Sequence, residues 1–337
     1  MDMFDKKKIL ITGGTGSLGQ ALTKKILQSN VDSIRIYSRD EFKQTQMKSE
    51  FDDDRLRFLI GDIRDKSRLQ RGMENIDIVI HAAALKHIGT AEYNPFEAVK
   101  TNIIGSQNLI DVCLDEKVET VLAVGTDKAV SPFNTYGATK LLMERLFVSA
   151  NNYRGSHKTK FLSVRYGNVL GSRGSILPVF IDQIKDGKKI TITDPEMTRF
   201  NITMEDALGL IMRALDTGKA GQVFIPKLKA YKVDTLKESL IELLNSNSEP
   251  SIIGVRPGEK YHESLINEHE LRITFETKQD YILFDEIVSQ LKSDQKQDLQ
   301  KANLQQEYSS DKVELLTKDE LKQELLQHDL IKNNSNY

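Results

Sequence analysis

Residues 8–22 read KILITGGTGSLGQAL, and the succession of residue types in them decides the fold. Ile9, Leu10 and Ile11 make a short apolar run of the kind that forms a buried strand. Glycines follow at two overlapping spacings, Gly14-x-Gly16-x-x-Gly19 and Gly13-x-x-Gly16-x-x-Gly19. Leu18, Leu22 and Ile26 then recur four apart, the period of one helix face. Glycines let the backbone turn tightly and let a diphosphate approach the amides at a helix amino terminus. A glycine triplet alone says little. Between a strand and the helix it opens, it is the context of a dinucleotide cradle, with Gly13, Thr15, Gly16, Ser17, Leu18 and Gly19 as its candidate contacts.

The same alternation continues outward. SIRIYSR, LRFLIGD, DIVIHAA, ETVLAVG and KFLSVRYG each read as a buried strand ending in small or polar residues, with amphipathic segments between them. This implies an α/β fold, a Rossmann-type doubly wound parallel sheet that binds ligands at the carboxyl ends of its strands. The second half changes character and implies a smaller mixed α/β substrate region. The run from Gly174 to Gly218 reads as a helix, a hairpin-like stretch and another helix. GVRPGEKYHESLI reads as a charged loop. The expected division is a cofactor domain over 1–175, with 200–228 returning to it, a substrate domain over 176–199 and 229–285, and a tail over 286–337. In the tail, Thr317 and Glu320 form a capping box ahead of Leu321, Leu325 and Leu326. It is expected to be a docking or oligomerisation element, or a poorly packed extension.

Composition removes several function classes. Of 337 residues, 39% are hydrophobic and 28% charged, which excludes wholesale disorder. Lys+Arg 47 against Asp+Glu 49 leaves a net charge of −2, so no basic excess exists to neutralise nucleic-acid phosphates. The single cysteine, Cys113, permits no internal disulfide, and no metal-ligand spacing is found. His81 and His87 lack partner carboxylates at such spacing and are expected to be structural or supporting. The opening MDMFDKKKILITGG lacks the ~7–15-residue apolar core of a secretory signal. IDIVIHAAAL falls far short of the ~20 residues that span a bilayer, so a soluble cytoplasmic protein is expected.

The second strand bears on the nucleotide. Where an acid would bind a ribose 2′-hydroxyl, this chain has Ser38 and Arg39, with Lys43 one turn later. An arginine there suits a 2′-phosphate, so NADP is favoured, although Asp40 offers the alternative of ribose binding. Asp62, followed by Ile63, closes its strand in position for the adenine amino group. Ala82 and Lys86 follow another strand end, nearer the nicotinamide.

The chemical centre is expected in VGTDKAVSPFNTYGATK, residues 124–140. Tyr136 and Lys140 share one helix face at Tyr-x-x-x-Lys spacing, so the lysine cation is expected to lower the tyrosine pKa. Together with the glycine cradle, this spacing resembles the extended short-chain dehydrogenase/reductase superfamily, whose Ser/Thr position Thr126 matches. HAAALKH, EYNPFEAVKTNIIGSQN, RYGNVLGSRGS, TDPEMTRF, RPGEK and, in the tail, EYSSD narrow the resemblance. They are similar to the inverting UDP-N-acetylglucosamine 4,6-dehydratases that begin pseudaminic acid synthesis, with relatives in capsule and O-antigen pathways. One departure is Gly125, where serine is expected.

The resemblance implies NADP as cofactor, UDP-N-acetylglucosamine as substrate and a homo-hexamer. It implies that Tyr136 takes the proton of the 4-hydroxyl, and Lys128 and Asp127 fit the base at carbon 5 and the acid for the departing 6-hydroxyl. A base at neutral pH requires Lys128 to titrate far below an ordinary lysine, with Asp127 pointing elsewhere or protonated. Asn168, Ser175 and Ile176 become sugar and uridine candidates, and Arg165 a structural residue. Arg256 is a candidate for the diphosphate, Glu259 for the uridine ribose, Lys86 for the substrate as well as the cofactor, and Arg199 a weaker contact. Two alternatives stay open. A UDP-N-acetylglucosamine 4-epimerase would need the tyrosine but not the Asp127–Lys128 pair, and a non-catalytic NADP sensor would predict a damaged Tyr-x-x-x-Lys.

Overall fold

The computed structural model describes residues 2–284 and 299–331. Six parallel strands, Lys8–Thr12, Ser33–Ser38, Leu56–Ile60, Ile78–His81, Thr120–Val124 and Lys160–Val164, form the heart of a ten-stranded sheet. They lie in the spatial order third, second, first, fourth, fifth, sixth, with helices on both faces. All six are the runs read from the sequence. Burial on two sides explains why they are continuous apolar stretches and not alternating ones. The order reverses between Lys8–Thr12 and Ile78–His81, and that crevice is where open α/β sheets take their ligands.

The sheet continues past its sixth strand. Gln222–Pro226 adds in parallel, and Asp280–Phe284, Thr274–Glu276 and Gln300–Lys301 add antiparallel. Residues 274–284 therefore extend the large sheet, although the sequence division placed them with the smaller region. The hairpin-like run is also not a hairpin. Ile190–Ile192 pairs in parallel with Pro250–Ile252, and Thr198–Phe200 pairs antiparallel with Ala230–Lys232. The two three-residue strands flanking Pro195 thus take different long-range partners, each also three residues long.

The described part of the tail is packed. Helix Lys318–Gln327 starts at the expected Thr317–Glu320 capping box and lies on helix Val233–Leu243. Leu321 and Leu325 are fully buried, and Lys318 and Lys322 both pair with Glu242. Leu321 and Leu325 are spent inside their own chain, which corrects the expectation of a poorly packed extension, while Leu326 stays on the surface. Residues 286–298 and 332–337 of the expected tail lie outside the described residues.

Candidate active site

A cleft of about 1030 Å³ runs along the carboxyl ends of the parallel strands. Its lining includes the whole expected cofactor set, from Gly13, Thr15, Gly16, Ser17, Leu18 and Gly19 through Ser38, Arg39, Lys43, Asp62 and Ile63 to Ala82, Lys86, Tyr136 and Lys140. Gly13 has φ +66°, and a Cβ there would lie 2.9 Å from the Ala83 backbone. A side chain at Gly19 would collide with the Gly14 carbonyl. Helix Ser17–Ile26 has no side-chain cap at Gly16, so its first amides remain available to an anion. These features fit a dinucleotide diphosphate.

At the second strand, Arg39 is 62% exposed and lies 3.8 Å from the Asp62 carboxylate. Asp40 caps helix Glu41–Phe51, accepting from the Lys43 amide at 3.0 Å and pairing with Lys43 Nζ at 2.8 Å. Ser38 Oγ accepts from Gln44 Nε2 at 3.0 Å. Burial alone would raise the Asp62 pKa, but bonds from Arg64 and the nearby Arg39 outweigh it and hold it low. Arg173 was not singled out from the sequence. It reaches across the cleft, its Nη2 donating to the Thr15 carbonyl at 2.7 Å and its Nε to Ser17 Oγ at 3.2 Å. Only its place in the glycine-flanked GSRGS run hinted at this. Lys86 Nζ donates to the Arg173 carbonyl at 3.1 Å, and burial with Arg173 and Lys128 nearby lowers its pKa.

The opposite end gathers charge. Strand Thr120–Val124 runs into Gly125, where a Cβ would lie 2.6 Å from the Val164 carbonyl, so in this backbone the serine expected there would force a shift. Thr126 then caps a short 3₁₀ turn, Asp127–Ala129. Thr126 Oγ1 donates to Asp127 Oδ1 at 2.9 Å. Lys128 Nζ donates to Asp127 Oδ1 at 3.0 Å and to Asn168 Oδ1 at 2.9 Å, and stands 3.5 Å from Glu263 Oε1. Glu263 was missed because it sits in the charged GEKYHES run, where nothing marks one carboxylate as buried.

Two electrostatic expectations are corrected. Burial disfavours the Lys128 ammonium, but the Asp127 and Glu263 carboxylates outweigh it and raise the Lys128 pKa. Asp127 does not point away; it bonds Lys128 directly. Lys140, by contrast, is buried with only partial help from Glu144, and its pKa falls to about 7. Its Nζ donates to the Val124 carbonyl at 2.6 Å. Burial pushes the Tyr136 phenol up, and the opposing influences are the Lys128 cation and a bond with Thr126. The cation acting on Tyr136 is therefore Lys128.

Thr126 and Asn168 line the cleft; Asp127 and Lys128 are not on its lining, and Lys128 reaches it through its bond to Asn168. Ser175, Ile176, Arg199, Arg256 and Glu259 lie off its lining. Ser175 occupies the N-cap position of helix Ile176–Lys185 without a side-chain cap bond, its buried Oγ having no hydrogen-bond partner among the described residues. Arg199 Nη2 pairs with Glu259 Oε1 at 3.2 Å, and Arg256 is exposed on its loop. His81 is enclosed between Thr12 and Ser106 and stacks on Phe147; burial lowers its pKa to about 3. Arg165 is fully buried between Glu144, at 2.5 Å, and Glu270, at 2.9 Å, a structural cross-link as expected.

A glycine cradle on a doubly wound sheet, with Tyr-x-x-x-Lys at the far end of the cleft, defines a nicotinamide-dependent enzyme of the extended short-chain dehydrogenase/reductase class. Within that class, the chain belongs to the polysaccharide biosynthesis protein family, whose model matches residues 9–284. It is 47% identical to the UDP-N-acetylglucosamine 4,6-dehydratase (inverting) of Campylobacter jejuni serotype O:2 over 83% of this chain and 84% of that one. It is 42% identical to a UDP-glucose 4-epimerase of Rickettsia rickettsii over 80% of each. The X-ray structure of Pen from Bacillus thuringiensis superposes with a TM-score of 0.90 at 40% identity, covering 96% of this chain and 99% of that one. No helix among the described residues is long and apolar enough to cross a membrane.

Proposed function

We propose that this protein is a UDP-N-acetylglucosamine 4,6-dehydratase that inverts carbon 5, working with NADP. The observation that carries the reading is the Lys128 amine, held between Asp127 and Asn168 beside Tyr136 and Thr126. A chain that only interconverts an alcohol and a ketone needs the tyrosine and not this second acid–base pair. The identity to the inverting dehydratase of Campylobacter jejuni supports the same substrate.

The bound nicotinamide supplies a hydride acceptor for carbon 4 and a hydride donor for carbon 6. Tyr136 takes the 4-hydroxyl proton, and Thr126 orients its phenol. The ketone so formed acidifies carbon 5, and Lys128 as the free amine removes that proton. Asp127, protonated by the Tyr136 phenol through Thr126 Oγ1 before Tyr136 takes the 4-hydroxyl proton, gives its proton to the departing 6-hydroxyl, which leaves as water. Lys128 then returns a proton to the opposite face. Asn168 holds the amine in register, while Ser175, Ile176, Arg199, Arg256 and Glu259 are the proposed contacts to the nucleotide sugar. NADP is preferred to NAD because Arg39 and Lys43 are the cations at the second strand, while the Asp40 carboxylate is engaged as a helix cap. The product suits a pseudaminic acid-type surface glycan, and the assembly proposed is a hexamer, checked by light scattering.

Incubation with UDP-N-acetylglucosamine should yield a product lighter by one water, with deuterium at carbon 5 in the L-arabino configuration when made in deuterated water. Reduced nicotinamide should not accumulate. A second reading, 4-epimerase, is favoured by the identity to the Rickettsia protein. Its outcome is a product of unchanged mass. A D-xylo product would remove Lys128 from the inverting role.

A further inference from the structure

Three oxygens surround the Lys128 amine, and the two carboxylates among them are not equivalent. Asp127 Oδ1 accepts from Thr126 at 2.9 Å as well as from Lys128 at 3.0 Å. Glu263 has only the longer ion pair, 3.5 Å from its Oε1, and its Oε2 is buried with no hydrogen-bond partner among the described residues. Glu263 is 3% exposed. A carboxylate removed from water and given few donors is the one whose charge is least supported. Burial pushes the Glu263 carboxyl up, with Lys128 opposing.

The residue is also held firmly. Its amide donates to Ser310 Oγ at 2.9 Å, and the Ser310 amide donates back to its carbonyl at 2.8 Å. Strand Tyr308–Ser309 pairs with Ser264–Ile266 beside it. This clasp comes from beyond residue 284, where the family match ends. The charged and titratable groups facing Glu263 are Lys128 and Asp127 on the 3₁₀ turn, Tyr136 on its helix, Arg199 on strand Thr198–Phe200, and Lys260 on its own segment. Arg199 is committed to Glu259, and Lys260 Nζ to the Val130 carbonyl at 2.7 Å.

We propose that Glu263 is the proton-holding partner of Lys128, taking the ammonium proton so that the amine meets carbon 5 as a free base. This rests on the reading of Lys128 as the carbon 5 base. The Lys128 N–H bond breaks and a Glu263 O–H bond forms, so an ion pair becomes a neutral acid–amine pair and no electrons leave. The amine lone pair then accepts the carbon 5 proton. After the resulting ammonium has protonated the opposite face, the Glu263 O–H returns its proton to the amine. The active tautomer has the same number of protons as the resting one, so turnover should not depend on pH where the pair stays intact.

The test is kcat against pH for the whole protein with UDP-N-acetylglucosamine and NADP. Wild type should be flat between roughly pH 8 and 9.5, above the titration of Lys140 near 7. In Glu263→Gln, Lys128 must lose its proton to solvent, so kcat should fall at least about tenfold at pH 7 and climb about tenfold per pH unit. Glu263→Asp should keep the flat profile. A Gln variant within about threefold of wild type, or one that is slow but flat, overturns the proposal. If the Gln variant fails to fold, judged by circular dichroism and NADP binding, the wild-type profile decides: a tenfold rise per unit overturns it and a flat one supports it. A wild type that releases no water sinks the underlying reading as well, whereas a dehydrating wild type with an unaffected Gln variant sinks only the role of Glu263.

Discussion

At the phosphate end of the cleft one continuous segment, Gly13 to Gly19, offers uncapped backbone amides, and its side chains matter mainly by being absent. At the other end, Thr126 to Lys128, Tyr136, Asn168 and Glu263 converge from separate elements, and buried charges face one another. The first end offers its amides through local backbone geometry that the glycines permit. The second works through electrostatics that exist only after distant segments have packed. Changes at the two ends should therefore separate binding from chemistry.

The largest effect is expected from Lys128→Ala. It should lower dehydration by at least about 10²–10⁴-fold, the usual range for losing a general base, while NADP binding measured by fluorescence stays near wild type. A parallel loss of NADP affinity would break the separation. Behind the chemical end, Arg165→Ala should cost about 3–5 kcal/mol in urea unfolding, because Glu144 and Glu270 would be left as uncompensated buried charges.

Lys140 gives a pH test of the same contrast. Its pKa falls from 10.5 to about 7 on folding, so below pH 10.5 the unfolded chain binds the extra proton and stability drops as pH falls towards 7. Lys140→Met removes this linkage. Its stability relative to wild type should improve as pH falls through that window, by on the order of a few kcal/mol in thermal melts. A pH-independent difference would show that Lys140 titrates normally. At the phosphate end, Arg39→Ala should lose about 1–3 kcal/mol of NADP affinity and little NAD affinity, narrowing the gap in a titration of each. Equal wild-type affinities would remove the NADP preference. The smallest effect is Asp40→Ala, about 0.5–2 kcal/mol in stability through loss of a helix cap, with the NADP preference retained.

The limits of sequence reading follow the same division. The six parallel strands and the cradle were legible because an apolar run and a glycine spacing are local patterns. Thr317 and Glu320 announced their helix for the same reason, yet the fate of its apolar face was not legible: Leu321 and Leu325 needed a partner 80 residues away in sequence, as the Lys322–Glu242 bond shows. The paired strands Ile190–Ile192 and Thr198–Phe200 misled because each is only three residues long and its partner was unknown.

By itself the sequence determined the doubly wound sheet and the glycine cradle, and it singled out Tyr136, Lys140, Asp127 and Lys128 as candidates for the chemistry. These rest on backbone periodicity and on spacings within one turn or one helix. Only the tertiary structure decided which charges surround those residues and how far water is kept from them. Glu263 comes to Lys128, Glu270 to Arg165 across 105 residues, and Ser310 to Glu263 across 47. A pKa depends on which charges lie within a few ångströms and how much water is excluded, and neither quantity is written in the order of residues along the chain.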